Sequence, residues 1–500
     1  MGIIRKQSIY SSFFIYIGFA IGALNLLVLF PKIFSPDVFG LTRLLLDFSL
    51  LFSTLCTIGS IPATLKFYPF YQAYLPKKEN DLPWLTLLVC SLGCIIFCIC
   101  AYIFKDEIIR KFGTRSPLFV SHFYLIYPLT LSYAFFSLLE SYAWALRKTV
   151  VSNFLKEVLF RLVTTVLLLL YFFHWISTEL FLDLFSLVYV PSLLILVVVV
   201  IRSGNFPINF SISRITRRLY RKIITFAFFL FSGAALNVLS RTIDIIIIAS
   251  QSANGLTDTA VFIIPTYLVT IMDVPQRSMI SIATPIISEA WKERNLASIS
   301  SLYKKTSLNL LIIGLGLGGA IYLNMDNAIK FLGPVYRPAK EIALIMGIAK
   351  LIDLGTGLNS QILLLSKYWK IDFATNMLFV FLALPLNYTL IRHFGVIGAA
   401  YANLIALGIF NTVRFIYIWK LFKIQPFSGQ TLWAVILALL CYSAVRLIPV
   451  LENLYLDTAL RTIAYFSAFG FLILFFHTSE DMNGLFESFI GKFSQKKRIG

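Results

Sequence analysis

The chain has 500 residues, of which 58% are hydrophobic and only 13% are charged, and its mean hydropathy is +0.83. Soluble domains carry about 25% charged residues, so this composition excludes a protein built mainly of soluble domains. The net charge of +19 invites a nucleic-acid-binding interpretation, but the basic residues lie in short loops between apolar runs. That distribution is typical of loops that face anionic lipid. We therefore predict a multi-pass membrane protein.

Apolar runs of about 20 residues, long enough to cross the hydrocarbon core, recur along the whole chain. They predict an all-α membrane protein with about fourteen transmembrane helices. Arg5 and Lys6 precede the first run, which is too long for a signal-peptide core, so we expect it to be retained as the first helix. In chain order the predicted helices span residues 8–30, 40–62, 82–104, 122–146, 150–173, 180–201, 223–249, 260–287, 308–323, 341–365, 371–391, 396–419, 432–450 and 458–477.

One sharp change in composition divides the chain. It lies between the sixth and seventh predicted helices, where polar and basic residues replace the apolar ones: Gly204, Asn205, Pro207, Arg214, Arg217, Arg218 and Arg221. We predict an N-terminal lobe at 1–203, a basic cytoplasmic linker at 204–222, a C-terminal lobe at 223–425, and two further helices with a basic tail at 426–500.

The distribution of Lys and Arg predicts the orientation. If the N-terminus is inside, the inner segments carry most of the basic loop residues, among them the linker and the tail residues Lys492, Lys496, Lys497 and Arg498. Cytoplasmic loops carry such an excess. We therefore expect both termini in the cytoplasm and the protein in the inner (cytoplasmic) membrane.

Charged residues also occur inside the predicted helices. The basic ones are Arg43, Lys156, Arg161, Arg241, Arg277, Lys350 and Arg414, and the acidic ones are Asp47, Glu140, Glu157, Asp244, Asp273 and Asp353. A charge that faces lipid at mid-depth costs about 2.5–3.5 kcal/mol. Such residues therefore face one another or a wet cavity.

Two interpretations of these charges stay open. Arg43/Asp47, Glu157/Arg161 and Asp273/Arg277 are four residues apart, and Arg241/Asp244 and Lys350/Asp353 are three apart, so each pair shares a helix face and can neutralise itself. Alternatively, intramembrane ionisable residues line a substrate or ion path. Lys156 and Arg414, near inner helix ends, are expected to extend towards the membrane surface.

No constellation in the sequence indicates an enzyme. The four histidines are scattered, and the metalloprotease, nucleotide-loop and nucleophile-elbow motifs are absent. We therefore expect no catalytic residues, no metal and no cofactor. Without a nucleotide site, an ion gradient, the membrane potential or the substrate gradient would have to drive transport.

Several loose motifs carry a resemblance to a known family. They are Phe30-Pro31 with Phe39-Gly40, Arg241-x-x-Asp244, Pro285 before Trp291-Lys292, Phe331-Leu332-Gly333-Pro334-x-Tyr336-x-x-Ala339, and Leu390-Ile391-x-x-Phe394-Gly395-x-x-Gly398-Ala399-Ala400. With these motifs the chain resembles the polysaccharide-biosynthesis and O-antigen flippases of the multidrug/oligosaccharidyl-lipid/polysaccharide exporter superfamily. The resemblance implies two six-helix lobes around a central cavity, plus two C-terminal helices.

The resemblance also implies a cargo. This would be an undecaprenyl-pyrophosphate-linked oligosaccharide, the repeat unit of lipopolysaccharide O-antigen, capsule or exopolysaccharide, moved from the cytoplasmic to the periplasmic face by alternating access. Because a pyrophosphate needs basic donors, Arg241, Lys350, Arg161 and Arg277 become candidate substrate-binding residues. Asp244, Asp353, Asp273, Glu157 and Asp47 become candidate ion-coupling or charge-pair residues.

The implied partners are the lipid-linked oligosaccharide, membrane lipid, and the polymerase and glycosyltransferases of the same pathway. We expect a monomer and no nucleic acid. Two alternatives remain: a multidrug exporter of the same superfamily, which would favour an acidic cavity, and a membrane glycosyltransferase or polymerase, which usually carries a longer outer loop than any here.

Overall fold

The computed structural model describes residues 2–204, 206–484 and 487. These residues form helices joined by short connections, and no strand occurs among them. Eleven helices in this part of the chain are long and apolar enough to cross a membrane, and a twelfth span is a pair of helices bent by 41°. Two segments made of consecutive helical pieces complete the set at the positions of the fifth and tenth predicted helices. The all-α membrane fold with about fourteen spans is confirmed.

The spans in the first part are α1 (Phe13–Ile33), α2 (Pro36–Cys56), α3 (Lys77–Ile103), α4 (Phe123–Ala145), α6 (Thr178–Ile201) and α7 (Arg214–Gln251). Of these, α1 contains a π-helix at Asn25–Leu29 and α6 contains a turn at 187–189. The bent span α8 comprises Gly255–Thr270 and Asp273–Lys292. The later spans are α9 (Leu296–Leu323), α11 (Trp369–Phe394), α12 (Val396–Phe422), α13 (Gly429–Arg446) and α14 (Leu454–Phe475). The two remaining spans consist of consecutive helical pieces: α5 (Thr149–Asn153, Phe154–Leu159 and Phe160–Phe172) and α10 (Ala339–Gly355 and Asn359–Leu365).

The spans α5 and α10, which consist of several pieces, both carry charged residues. In α5 the middle piece, Phe154–Leu159, is a π-helix that holds Lys156 and Glu157, and Arg161 follows it. In α10 the helix stops at Gly355 shortly after Lys350 and Asp353. Irregular backbone is tolerated inside a membrane only where protein or water surrounds it. Both spans are therefore suited to lining a polar site.

The chain forms two compact units, Met1–Ala260 and Val261–Gly500. In the first unit α2 packs against α4 and α7, and α1 runs along α5. In the second unit α12 packs against α10 and α11. The last two spans, α13 and α14, form an apolar cluster with α9 that includes Leu315, Leu437, Tyr465 and Phe469. The predicted division into two lobes at the linker stays a prediction.

The seventh helix starts earlier than the sequence predicts. It begins at Arg214, because the Ser213 hydroxyl accepts the Thr216 amide and caps the helix. The buried Asp81 carboxylate accepts both the Ser213 amide, at 2.9 Å, and the Thr216 hydroxyl, at 2.7 Å. The basic residues from Arg214 onwards therefore lie on helical turns. Residue 205 of the predicted linker and the basic tail at 488–500 lie outside the described residues.

The most extensive motif of the resemblance is a tight turn between α11 and α12. Gly395 has φ of 60°, in the left-handed region that favours glycine. A Cβ atom at Gly398 would lie 2.1 Å from the Leu390 carbonyl oxygen, so no larger residue fits without a backbone shift. This motif fixes how two adjacent spans of the second unit meet.

Candidate functional site

Lys350 is the centre of a polar cluster inside the second unit. Its Nζ atom lies 2.5 Å from Asp273 Oδ1 and 2.8 Å from Asp353 Oδ2. It also donates to Gln276 Oε1 at 2.7 Å, and Gln276 Nε2 in turn donates to Asp353 Oδ2 at 3.0 Å. The three N–H donors of the ammonium group are thus directed at two carboxylates and one amide oxygen.

The bend in α8 places Asp273 in this cluster. The second half of α8 starts at Asp273, so its carboxylate lies in the first turn, where the helix dipole favours negative charge. Lys350 and Asp353, three residues apart on α10, point to the same side. The Lys350 side chain is 14% exposed, against 29% for Asp273 and 20% for Asp353. The cation is therefore more enclosed than the two carboxylates that hold it.

Arg277 belongs to the same cluster but is held loosely. Its Nη2 atom is 3.9 Å from Asp273 Oδ2, and its side chain is 70% exposed. With Lys350, Asp273 and Asp353 it makes a set of two cations and two carboxylates, with no net charge. Among these four residues, the Arg277 guanidinium is the one most open to a ligand.

Amide groups extend the cluster towards α12. Asn411 Nδ2 donates to Asp353 Oδ1 at 3.3 Å. The Asn411 side-chain oxygen accepts from the Thr356 hydroxyl at 3.0 Å and from the Asn359 amide at 2.8 Å. The sequence analysis missed these residues. An Asn within an apolar run of the sequence could have indicated them, because a polar side chain in a membrane helix needs a hydrogen-bonding partner.

The interpretation of Arg414 was wrong. Its side chain is buried and does not extend to the membrane surface: it forms an ion pair with Asp372 and donates from Nε to Thr375 at 2.9 Å. Its guanidinium carbon lies 3.9 Å from the centre of the Phe410 ring. Asp372 comes from α11, so no spacing along α12 could have indicated this partner.

In the first unit, α5 holds a second group of charges. Arg161 Nη1 donates to Glu157 Oε2 at 2.6 Å, and the two side chains are 25% and 27% exposed. Lys156 pairs with Glu140 of α4 at 3.0 Å. The Lys156 side chain is 34% exposed, and its extension towards the membrane surface stays a prediction.

A second π-helical segment lies close to Arg161. It is Asn25–Leu29 in α1, and it contacts the helix Phe160–Phe172 of α5, whereas the part of α1 that precedes it contacts the π-helix of α5. Asn25 is buried, donates to the Arg161 carbonyl at 3.0 Å, and accepts from the Thr165 hydroxyl at 2.8 Å. π-helical turns are frequent at functional sites. Hydrophobic periodicity along the sequence carries no signal for them.

Aromatic rings lie next to this second group. The Tyr189 ring is 4.6 Å from the centres of both the Tyr133 and the Phe160 rings. Arg161 and Arg43 are both close enough to Tyr189 for electrostatic interaction. Rings beside cationic donors provide the kind of surface against which a sugar with an anionic group can pack.

The remaining candidate residues lie on α2 and α7. Arg43 Nη2 is 3.3 Å from Asp47 Oδ1, and the Asp47 side chain is nearly buried. On α7 Asp244 is buried and Arg241 is exposed. The pairing of Arg241 with Asp244 stays a prediction. The structure thus gathers Lys350, Asp353, Asp273 and Arg277 in the second unit, and places Arg161, Glu157, Arg43, Asp47, Arg241 and Asp244 in the first.

No protein-family model and no curated protein sequence matches the chain. Solved structures do. The structure of lipid II flippase MurJ in an inward closed conformation aligns with a TM-score of 0.70 at 14% identity, over 94% of this chain and 99% of that one. An inward-facing multidrug resistance MATE family transporter of the MOP superfamily gives 0.64 at 14% identity, over 81% and 94%.

A Vibrio cholerae MATE transporter aligns with a TM-score of 0.52 at 12% identity, over 83% of this chain and 97% of that one. The chain has the fold of these transporters. The resemblance to the exporter superfamily, inferred from loose motifs, therefore holds at the level of the fold.

Proposed function

We propose that the protein is a flippase that moves a lipid-linked oligosaccharide, the repeat unit of a surface polysaccharide, from the cytoplasmic to the periplasmic face of the inner membrane. The observation that carries the proposal is the Lys350 cluster: an enclosed intramembrane cation whose two carboxylate partners are more exposed than the cation itself. Ionisable residues within membrane helices line substrate or ion paths.

The charge of the cluster suggests how cargo and coupling are linked. Lys350 and Arg277 offset Asp273 and Asp353, so a pyrophosphate that binds the two cations releases a carboxylate. The released carboxylate then takes up a proton or a cation, because a bare charge in the membrane is costly. Anionic cargo and a coupling ion would thus enter together and leave together in an alternating-access cycle.

The first unit has features of its own that suit a lipid-linked saccharide. Arg161 and Arg43 interact electrostatically with Tyr189, whose ring packs against Tyr133 and Phe160, and such rings would contact sugar faces. Arg241 on α7 would be a further donor of this unit. The proposal also draws on the similarity to the lipid II flippase MurJ, whose structure aligns over 94% of this chain.

The proposal is tested by changing the cluster in a host whose surface polysaccharide depends on this protein. Deletion should abolish the polysaccharide and leave lipid-linked repeat units at the inner face. Lys350→Met should lower transport roughly tenfold or more at an unchanged protein level, since a charge-assisted hydrogen bond contributes about 1.5–3 kcal/mol. Surface polysaccharide and accumulated intermediates are the two readouts.

A variant without the charges of Lys350, Asp273 and Asp353 tests whether Lys350 binds the cargo or only neutralises its carboxylate partners. Lys350→Met combined with Asp273→Asn and Asp353→Asn leaves Arg277 as the one charged residue of the cluster, and because its side chain is 70% exposed it needs no buried partner. The variant should therefore fold, yet transport should stay low. The matched control is the buried pair Arg461 and Asp457 of α14, changed to Met and Asn, which should keep transport. A triple variant that transports normally contradicts the binding role of Lys350.

One observation favours the alternative function, that of a multidrug exporter. Lys350 has two carboxylate partners, and an organic cation could take the place of its ammonium group. In that case Asp353→Asn would sensitise an exporter-deficient host to cationic drugs and leave surface polysaccharide intact. If the protein is a flippase, Asp353→Asn should instead lower surface polysaccharide and leave drug sensitivity unchanged.

A further inference from the structure

An apolar groove opens on the surface of the first unit, between α2 and α3. Its volume is about 240 Å³, and nearly all of its lining is apolar. Gly93 and Cys56 form its floor, where a Cβ atom at Gly93 would lie 2.0 Å from the Cys56 carbonyl oxygen. Phe52 and Phe97 form its walls. The groove is separate from the charged residues described above.

The groove exists because the backbone and the side chains both leave space. The helix that contains α2 is interrupted at residues 57–59, where Ile58 and Gly59 have φ of 42° and 77°. On α3 the facing residues include Gly93, Cys100 and Ala101, which are too small to fill the gap. In a membrane, only hydrocarbon can occupy such a space, since water would find no polar partner there.

One end of the groove is marked by charge. Ile108, which lines the groove, belongs to the short helix Lys105–Phe112 that follows α3. Lys105 and Lys111 on this helix are exposed, as is Asp106, whereas Arg110 is paired with Glu107 at 2.5 Å, so the helix keeps an excess of positive charge. Amphipathic helices with basic polar faces lie at the membrane interface, and their basic residues attract anionic head groups.

We propose that the groove binds one acyl chain of an anionic phospholipid whose head group contacts Lys105 and Lys111. The chain occupies the space over Gly93 and Cys56, and the phosphate lies at the level of the short helix. The site is a lipid site of the first unit, distinct from the path of the transported molecule.

The test uses the full-length protein in vesicles of phosphatidylcholine with a minor fraction of phosphatidylglycerol that carries a photoactivatable group on one acyl chain. After irradiation, mass spectrometry should find adducts on Ile96, Cys100 and Phe104 in excess over Ile95 and Ile99, which are exposed on α3 but do not line the groove. Cys100→Trp should remove these adducts, and Ile99→Trp should keep them.

The head-group part of the proposal is tested separately. Lys105→Gln and Lys111→Gln should each lower the preference for the phosphatidylglycerol probe over the same probe on phosphatidylcholine, by roughly fivefold. Equal labelling by both probes in the unchanged protein would overturn the proposal, as would adducts that survive in a folded Cys100→Trp variant. Loss of the adducts on adding a polyisoprenyl phosphate at equal concentration would assign the groove to the cargo's tail and overturn it too.

Discussion

Arg414 and Lys350 are both intramembrane cations, yet their surroundings differ in a way that separates structure from function. Arg414 is almost completely enclosed, with its partners Asp372 and Thr375 and the Phe410 ring around it. Lys350 is bound by two carboxylates that remain partly exposed. A fully enclosed pair contributes to folding, because removing one partner strands the other. A partly exposed ion pair, such as that of Lys350, can exchange one of its partners for a ligand.

Arg414→Leu should therefore act on stability rather than on transport alone. It strands the buried Asp372 carboxylate, and we expect a loss of about 3–5 kcal/mol in the free energy of unfolding. Adding Asp372→Asn should restore most of the loss. Thermal unfolding of the purified protein in detergent measures both variants, and an unchanged melting temperature for Arg414→Leu alone would contradict this account.

Hydrophobic runs predicted the positions of the membrane helices, because the need for apolar spans of fixed length is encoded locally. The predictions failed where the local structure depends on contacts with a neighbouring element. The start of α7 depends on Ser213 and Asp81, and the π-helices of α1 and α5 have no hydropathy signal. For the site, spacing placed Lys350 beside Asp353, but Asp273 and Gln276 reach it from another helix.

The turn between α11 and α12 offers a test of an element. Gly398→Ala places a methyl group against the Leu390 carbonyl, so we expect less folded protein. Gly408→Ala on the same helix is the matched control, because no atom lies within 4 Å of the added Cβ position. Size-exclusion profiles of fluorescent fusions report the outcome. Equal profiles for both variants would show that the turn tolerates the added carbon.

For the whole molecule, composition alone predicted a multi-pass membrane protein, and the fold agrees with that of the lipid II flippase and the MATE transporters. The fold does not identify an oligosaccharide as the substrate, because proteins of one fold can have different substrates. Loose motifs of glycine and proline encode how helices meet, as the turn at Gly398 demonstrates. They carry no information on which sugar a cavity would accept.

The orientation is testable with reporters. With both termini in the cytoplasm, a reporter active only there should work when inserted after Gly204 and fail when inserted after Arg337, which lies between α9 and α10. Gly204 is chosen because Lys222 lies within α7, where an insertion would disrupt the helix. Activity at Arg337 would invert the proposed topology.

The most direct test of the flippase proposal is a transport measurement with purified protein. Vesicles are reconstituted with the protein and a fluorescent lipid-linked oligosaccharide, and an impermeant quencher then reports how much of the label has crossed the bilayer. The account predicts rapid crossing with the unchanged protein and with the Arg461 and Asp457 control variant, and slow crossing with Lys350→Met. Crossing no faster than in protein-free vesicles, or equally fast with Lys350→Met, would contradict it.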